Sequence, residues 1–157
     1  MHPNEKLLHT FYTCFQRKDH KGMAACYAPD AVFSDPIFNL KGKTEVAAMW
    51  HMLFNAGKDL KIDFTVLKAD DKQGQVHWEA TYILRRTQRK VHNIVEAEFY
   101  FANGKIFRHH DEFGFYRWVR MALGPTGLTL GWLPMMRKKL QGQMQEALRE
   151  FIERHSF

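Results

Sequence analysis

Two short stretches place titratable side chains where chemistry could use them. In Ser34-Asp35-Pro36 a carboxylate closes the strand-forming run Ala31-Val32-Phe33, immediately before a proline that stops a ladder. Such a residue either caps the Asp-Pro turn through its own side chain or, kept from water, holds its proton more tightly and relays protons. The second stretch runs Ile106-Phe107-Arg108-His109-His110-Asp111-Glu112-Phe113. A period of two puts Phe107, His109, Asp111 and Phe113 on one face and Arg108, His110 and Glu112 on the other. His109 and Asp111 then share a face, and imidazole exchanges a proton near neutral pH. The plainer alternative is a His/Asp pair exposed at a sheet edge, or one buried and hydrogen-bonded without chemistry. Neighbouring strand residues diverge, so only two of the four polar side chains His109 to Glu112 can reach one ion, with His92 the nearest further candidate. No metal site is expected, because zinc wants three or four convergent ligands. Asn93 is informative in another way: an amide at inward parity must bind something or be satisfied internally.

These side chains need a frame. Leu7, Leu8, Phe11, Cys14 and Phe15 recur at helical spacing after Pro3-Asn4, which predicts a helix to about Lys18. Asp19 caps a short second helix with Met23, Cys26 and Tyr27, and Ala28-Pro29-Asp30 turns the chain into the strand that ends at Asp35. Thr44 is expected to cap a third helix through Val46, Met49, Trp50 and Leu53, followed by Gly57. The period then changes to two. Leu60, Ile62, Phe64 and Val66 share a face, as do Trp78, Ala80, Tyr82 and Leu84 on the next strand. A strand over Val91 to Phe101 follows, and Asn103-Gly104 predicts a tight hairpin into Ile106 to Phe113. Helices first and an antiparallel meander after them make an α+β order, with the helices laid on one face of the sheet.

Beyond the meander, Phe115, Trp118, Val119 and Ala122 fit a short helix stopped by Gly124-Pro125. Residues 126–132 carry Leu128, Leu130 and Trp132 between glycines. A last helix from about Pro134 to His155 aligns Met136, Leu140, Met144, Leu148, Phe151 and His155 along one stripe. The expected division is one domain over 1–114 and a C-terminal helical extension over 115–157, packed on that domain or on a dimer mate.

Composition bounds the function. The chain of 157 residues suits one domain with one sizeable core, and 45% hydrophobic with 25% charged residues marks a folded chain. Aromatic residues make up 14%, a surplus that suits a deep core, an apolar pocket or a subunit interface. The balance of 23 basic against 17 acidic residues gives +6, but these charges are scattered, so no nucleic-acid partner is expected. Cys14 and Cys26 fit no metal or redox spacing and read as small core residues. With no apolar leader at the start and no apolar run of about 18 residues, a cytoplasmic location is expected and membrane contact is not.

Three stretches in order, FYTCFQRKDHKGMAACYAPDAVFSDP, GKTEVAAMW and FANGKIFRHHDEF, resemble the nuclear transport factor 2-like superfamily, in its SnoaL-like and ketosteroid-isomerase-like branch. The resemblance spans Glu5 to Phe113, and RWVRMALGPTGLTLGW is similar to an extension found in SnoaL-like members. It implies a cone of curved antiparallel or mixed sheet around a helix layer, a mostly apolar pocket within, and a homodimer. By resemblance to ketosteroid isomerases, Asp35 falls on the general base. Their helix tyrosine falls on Phe11, with Tyr12 next door, and their middle-strand acid falls on Ala97, or on Glu96 after a slip of one residue. SnoaL-type cyclases carry an aspartate acid/base on the last strand, where Asp111 stands. Limonene-epoxide-hydrolase members use an Asp-Arg-Asp set. Asp35 and Asp111 match its acids, but no arginine has inward parity on the middle strand.

Two functions of different class follow. One is an enzyme without a cofactor, acting by acid/base chemistry as an isomerase, cyclase or hydrolase of a small hydrophobic carbonyl or epoxide compound. Asp35 and Asp111 would move protons, His109 would tune them and Asn93 would orient the ligand. Phe11, Trp50, Trp78, Tyr82 and Phe113 would line the pocket, with residues 126–132 as its lid. The other is a non-catalytic small-molecule-binding or protein-interaction module, since fold alone does not fix function.

Overall fold

In the computed structural model, residues 1–125 and 133–155 are described. The expected lid, 126–132, lies outside them. Helix α1 (Pro3–Gln16) buries Leu8, Phe11, Tyr12 and Phe15, the i, i+3, i+4, i+7 stripe of an amphipathic helix. Asp19 caps α2 (His20–Ala25) by accepting the Gly22 N–H at 2.9 Å. Strand β1 (Tyr27–Ser34) begins earlier than expected: Ala28-Pro29-Asp30 lies inside it, absorbed by a register shift between Tyr27 and Val32. Strand β2 (Asn39–Lys41) returns antiparallel to β1. Helix α3 (Lys43–Ala56) starts at Gly42, with φ 93°, rather than at Thr44. The chain turns there through a conformation that glycine adopts without a Cβ clash, so no side-chain cap is used.

The rest is sheet, then helix. Strands β3 (Gly57–Ala69), β4 (Gln73–Leu84), β5 (Arg89–Ala102) and β6 (Lys105–Glu112) form the meander. Asn103 and Gly104 both have positive φ, 53° and 74°, the conformation that an Asn-Gly hairpin turn requires. The six strands run in the order β2-β1-β6-β5-β4-β3, and the β1/β6 pair is parallel, so the curved sheet is mixed. Helix α4 (Phe115–Leu123) ends at Gly124 with φ 73°. Helix α5 (Leu133–His155) buries Leu148 and Phe151 in the core that α3 shares, while Met136, Leu140 and Met144 are half-buried and His155 is exposed.

One expectation about parity fails. A strict period of two puts Phe107 on the face of His109, yet Phe107 is 38% exposed and Ile106 is buried instead. Tyr100 pairs with Arg108 and Phe101 with Ile106, so β6 carries an extra residue there. A bulge of one residue flips the side chains on one side of it. Beyond the bulge, His109 and Asp111 keep their inward parity.

Candidate functional site

The parallel β1/β6 register decides which acids meet. Phe33 pairs with His109 and Ser34 with His110, so the chain leaves β1 with Asp35 close enough to feel the charge of Asp111. The neighbouring strand faces Asp111 with Ala97 and His109 with Phe99. The small Ala97 leaves Asp111 its room.

His109 and Asp111 are 1% and 2% exposed, which is far below what an unpaired polar pair tolerates. They are joined in a chain of hydrogen bonds that starts at an indole N–H, which can only donate. Trp50 Nε1 donates to the Tyr27 hydroxyl at 3.2 Å. The Tyr27 hydroxyl in turn is hydrogen-bonded to His109 Nδ1 at 2.7 Å. His109 Nε2 is hydrogen-bonded to Asp111 Oδ1 at 2.8 Å. Trp78 Nε1 donates to the same Oδ1 at 3.3 Å, leaving Oδ2 with no donor among the described residues. The imidazole stacks on Phe99 at 4.1 Å and meets Phe11 and Phe33 edge-on, so its plane is fixed.

Asp35 is held in a different way. Its Oδ1 accepts the N–H groups of Ile37 at 2.7 Å and Phe38 at 2.6 Å, and its own N–H donates to the Phe38 carbonyl at 3.0 Å. This is the turn cap that its place before Pro36 suggests. Part of the residue reaches the surface, yet the carboxyl is packed closely enough that lost hydration dominates. Burial pushes its pKa up to about 7; the two N–H bonds and His110 pull it down, and the nearby charge of Asp111 adds to the rise.

The remaining candidates divide. Phe11 packs edge-on against Tyr27 and His109, and Trp50 and Trp78 spend their N–H groups on the chain just described. The Tyr82 hydroxyl accepts the Trp118 N–H at 2.9 Å, which ties α4 to the sheet, and Phe113 lies half-buried just past the end of β6. Asn93 is buried opposite Ala80, and its amide has no hydrogen-bond partner among the described residues. Concavities open on the described surface away from these residues. One of about 400 Å³ lies on the outer face of the sheet beside Ser34, Lys41, Arg108 and His110; another, about 370 Å³, lies between α3 and α5. None of Asp35, Asn93, His109 and Asp111 lines either of them.

Two tyrosines were missed by the sequence reading. Tyr27 reads there as one more apolar residue of α2, and nothing in its neighbours announces a link between Trp50 and His109. Tyr12 is fully buried on α1, and its hydroxyl has no hydrogen-bond partner among the described residues. Burial raises its pKa, and the charge of Asp111 raises it further, so this unsatisfied donor lies within electrostatic reach of the acid. The sequence signal was present: Tyr12 completes the buried stripe of α1 as well as Phe11 does.

Comparisons with known proteins agree with this architecture. The model of the SnoaL-like domain matches residues 8–109. A candidate polyketide cyclase from Pseudomonas putida is 19% identical, with a TM-score of 0.69 over 78% of this chain and 98% of its own. One from Xanthomonas campestris is 16% identical, with a TM-score of 0.69 over 76% and 96%. An epoxide hydrolase of limonene-epoxide-hydrolase type from M. tuberculosis is 17% identical, with a TM-score of 0.62 over 82% and 96%. At these identities the likeness is one of fold. No curated protein matches the chain.

Proposed function

The chain belongs to the SnoaL-like domain family, within the nuclear transport factor 2-like superfamily, and on that premise we propose that it is a cofactor-independent acid/base enzyme acting on a small hydrophobic carbonyl or epoxide compound. One observation carries the reading: a fixed carboxyl with its pKa at about 7, Asp35, lies within electrostatic reach of the buried Asp111, which His109 and Trp78 hold. An acid of that strength is about half ionised at neutral pH, so it both takes and returns a proton. Asp35 removes a proton from the carbon next to a carbonyl, and the charge that develops on the carbonyl oxygen accepts a hydrogen bond from the Tyr12 hydroxyl. Asp111, locked by His109 and Trp78, keeps Oδ2 for the ligand, and the Asn93 amide orients it. A homodimer and a cytoplasmic location belong to the same reading, and light scattering tests the first.

The test is turnover of a panel of small apolar ketones, aldehydes and epoxides by wild type, Asp35→Asn and Asp111→Asn. Activity that rises through pH 7 and is lost in Asp35→Asn supports the assignment; an Asp35→Asn variant as fast as wild type ends it. A second reading, a non-catalytic binding module, has one observation in its favour: the space around His109 is filled by Phe11, Phe33, Phe99 and Trp50. Saturable binding of panel compounds with no product formed by the wild type would select it.

A further inference from the structure

The SnoaL-like match ends at residue 109, so α4 and α5 lie beyond the family's own pattern. Yet α5 reaches back to the turn that carries Asp35. Gln141 Nε2 donates to the Pro36 carbonyl at 2.9 Å, and Arg137 Nε donates to the same oxygen at 3.2 Å. The two donors lie four residues apart, one turn of the helix, and converge on one acceptor. Arg137 also lies 5.5 Å over the Phe115 ring, which joins α4 to the same contact. Further along, Leu148 and Phe151 anchor α5 in the core, so the helix does not depend on the Pro36 contact for its place.

The Pro36 carbonyl is a telling point of attachment. Pro36 follows Asp35 directly, and the next two N–H groups, Ile37 and Phe38, are the ones that hold the Asp35 carboxylate. A proline has no N–H, so its carbonyl is the only polar backbone group that Pro36 contributes to the turn. Pinning that carbonyl from α5 fixes the peptide plane that orients Ile37 N–H and keeps a polar, solvent-seeking atom of the turn out of water.

We propose that Arg137 and Gln141 are positioning residues for Asp35: through the Pro36 carbonyl, α5 holds the Asp35–Phe38 turn closed and keeps the carboxyl dry. The inference rests on Asp35 as the site's acid, but it concerns the free protein and needs no substrate. It gives the extension beyond the SnoaL-like match a purpose in the site rather than in stability alone. It also places Arg137 and Gln141 one residue away from the acid, on the Pro36 carbonyl, where exchange of either residue alters the acid without touching it.

The test is the titration of the Asp35 side-chain carboxyl followed by ¹³C NMR in wild type, Arg137→Ala, Gln141→Ala and the double variant. Arg149→Ala serves as a control, because Arg149 pairs with Glu146 and Glu153 on the exposed side of the same helix. The double variant is expected to lower the Asp35 midpoint by about one pH unit as water reaches the turn, each single variant by part of that, and the control by nothing. Each single variant leaves one donor on the carbonyl, and far-ultraviolet circular dichroism reports whether α5 stays helical. A midpoint unmoved in folded variants overturns the proposal, as does an equal shift in Arg149→Ala. Failure of the catalytic assignment looks different: no compound is turned over, while the Asp35 midpoint still follows Arg137 and Gln141.

Discussion

Replacing Asp35 with Asn removes one titration while keeping an oxygen able to accept the Ile37 and Phe38 N–H groups. In the folded protein the carboxyl holds its proton up to about pH 7, against about 3.8 for an ordinary aspartate. Between those values the native state binds more protons at this site than the unfolded chain does. Stability contributed by the protonated acid is therefore fully present below pH 3.8 and is lost as pH rises through 7. Each factor of ten in proton affinity is worth about 1.36 kcal/mol, so the whole window amounts to about 4 kcal/mol at most. The amide of the Asp35→Asn variant does not titrate and has nothing to lose across it.

The assay is urea unfolding of wild type and Asp35→Asn from pH 4.5 to 8.5, taking the difference in unfolding free energy at each pH. Other titrating groups, including His20 and His51, whose pKa values burial lowers, and Asp70 and Glu79, whose hydrogen bonds lower theirs, are common to both proteins and cancel. The variant should gain about 3 kcal/mol on wild type over that range, most of it below pH 7.5. Two parallel curves would refute the claim that Asp35 is a dry acid, and with it the pH dependence expected of the enzyme. A difference that grows toward acid pH instead would mean that the N–H bonds of Ile37 and Phe38 outweigh burial.

Other outcomes follow from single groups. Tyr12→Phe removes a buried hydroxyl that has no partner among the described residues, so thermal unfolding should show unchanged stability or a gain of about 1 kcal/mol, while activity on any discovered substrate falls. Tyr27→Phe strands both the Trp50 N–H and His109 Nδ1, and denaturant melts should show a loss of about 2 kcal/mol; a neutral result would break the chain of hydrogen bonds as drawn. Leu148→Ala empties a buried position between α5 and the core and should cost about 2–5 kcal/mol in chemical denaturation, far more than trimming an exposed residue of the same helix.

How much of this was legible in the sequence differs from element to element. The stripe of α1 and the alternation of β4 through Trp78 and Ala80 are local patterns, and they emerge as buried faces, whereas of the α5 stripe only Leu148 and Phe151 are buried. Asn103-Gly104 is legible because few residue pairs adopt two positive φ angles in a row. The start of α3 is not, since Gly42 works through its backbone and leaves Thr44 to look like the cap. Phe107 defeats the period of two because a bulge is a property of two paired strands, not of one. The same holds for the site: Asp35 and Asp111 could be nominated by resemblance, but Tyr27 joins Trp50 to His109 through space, and no spacing in the chain encodes that.

Cap and acid are not rival descriptions of Asp35. The two N–H bonds favour the charged form, and alone they would make Asp35 a stronger acid than a free aspartate. Burial and the neighbouring Asp111 act the other way and prevail, which is why the pKa lies near 7 rather than below 3.8. The N–H bonds therefore contribute mainly to geometry. They fix Oδ1, while closure of the turn around Pro36 sets how dry the carboxyl is, so geometry and proton affinity are governed by different groups. On the proposed role of Arg137 and Gln141, a change in what packs on the turn retunes the acid without moving Oδ1.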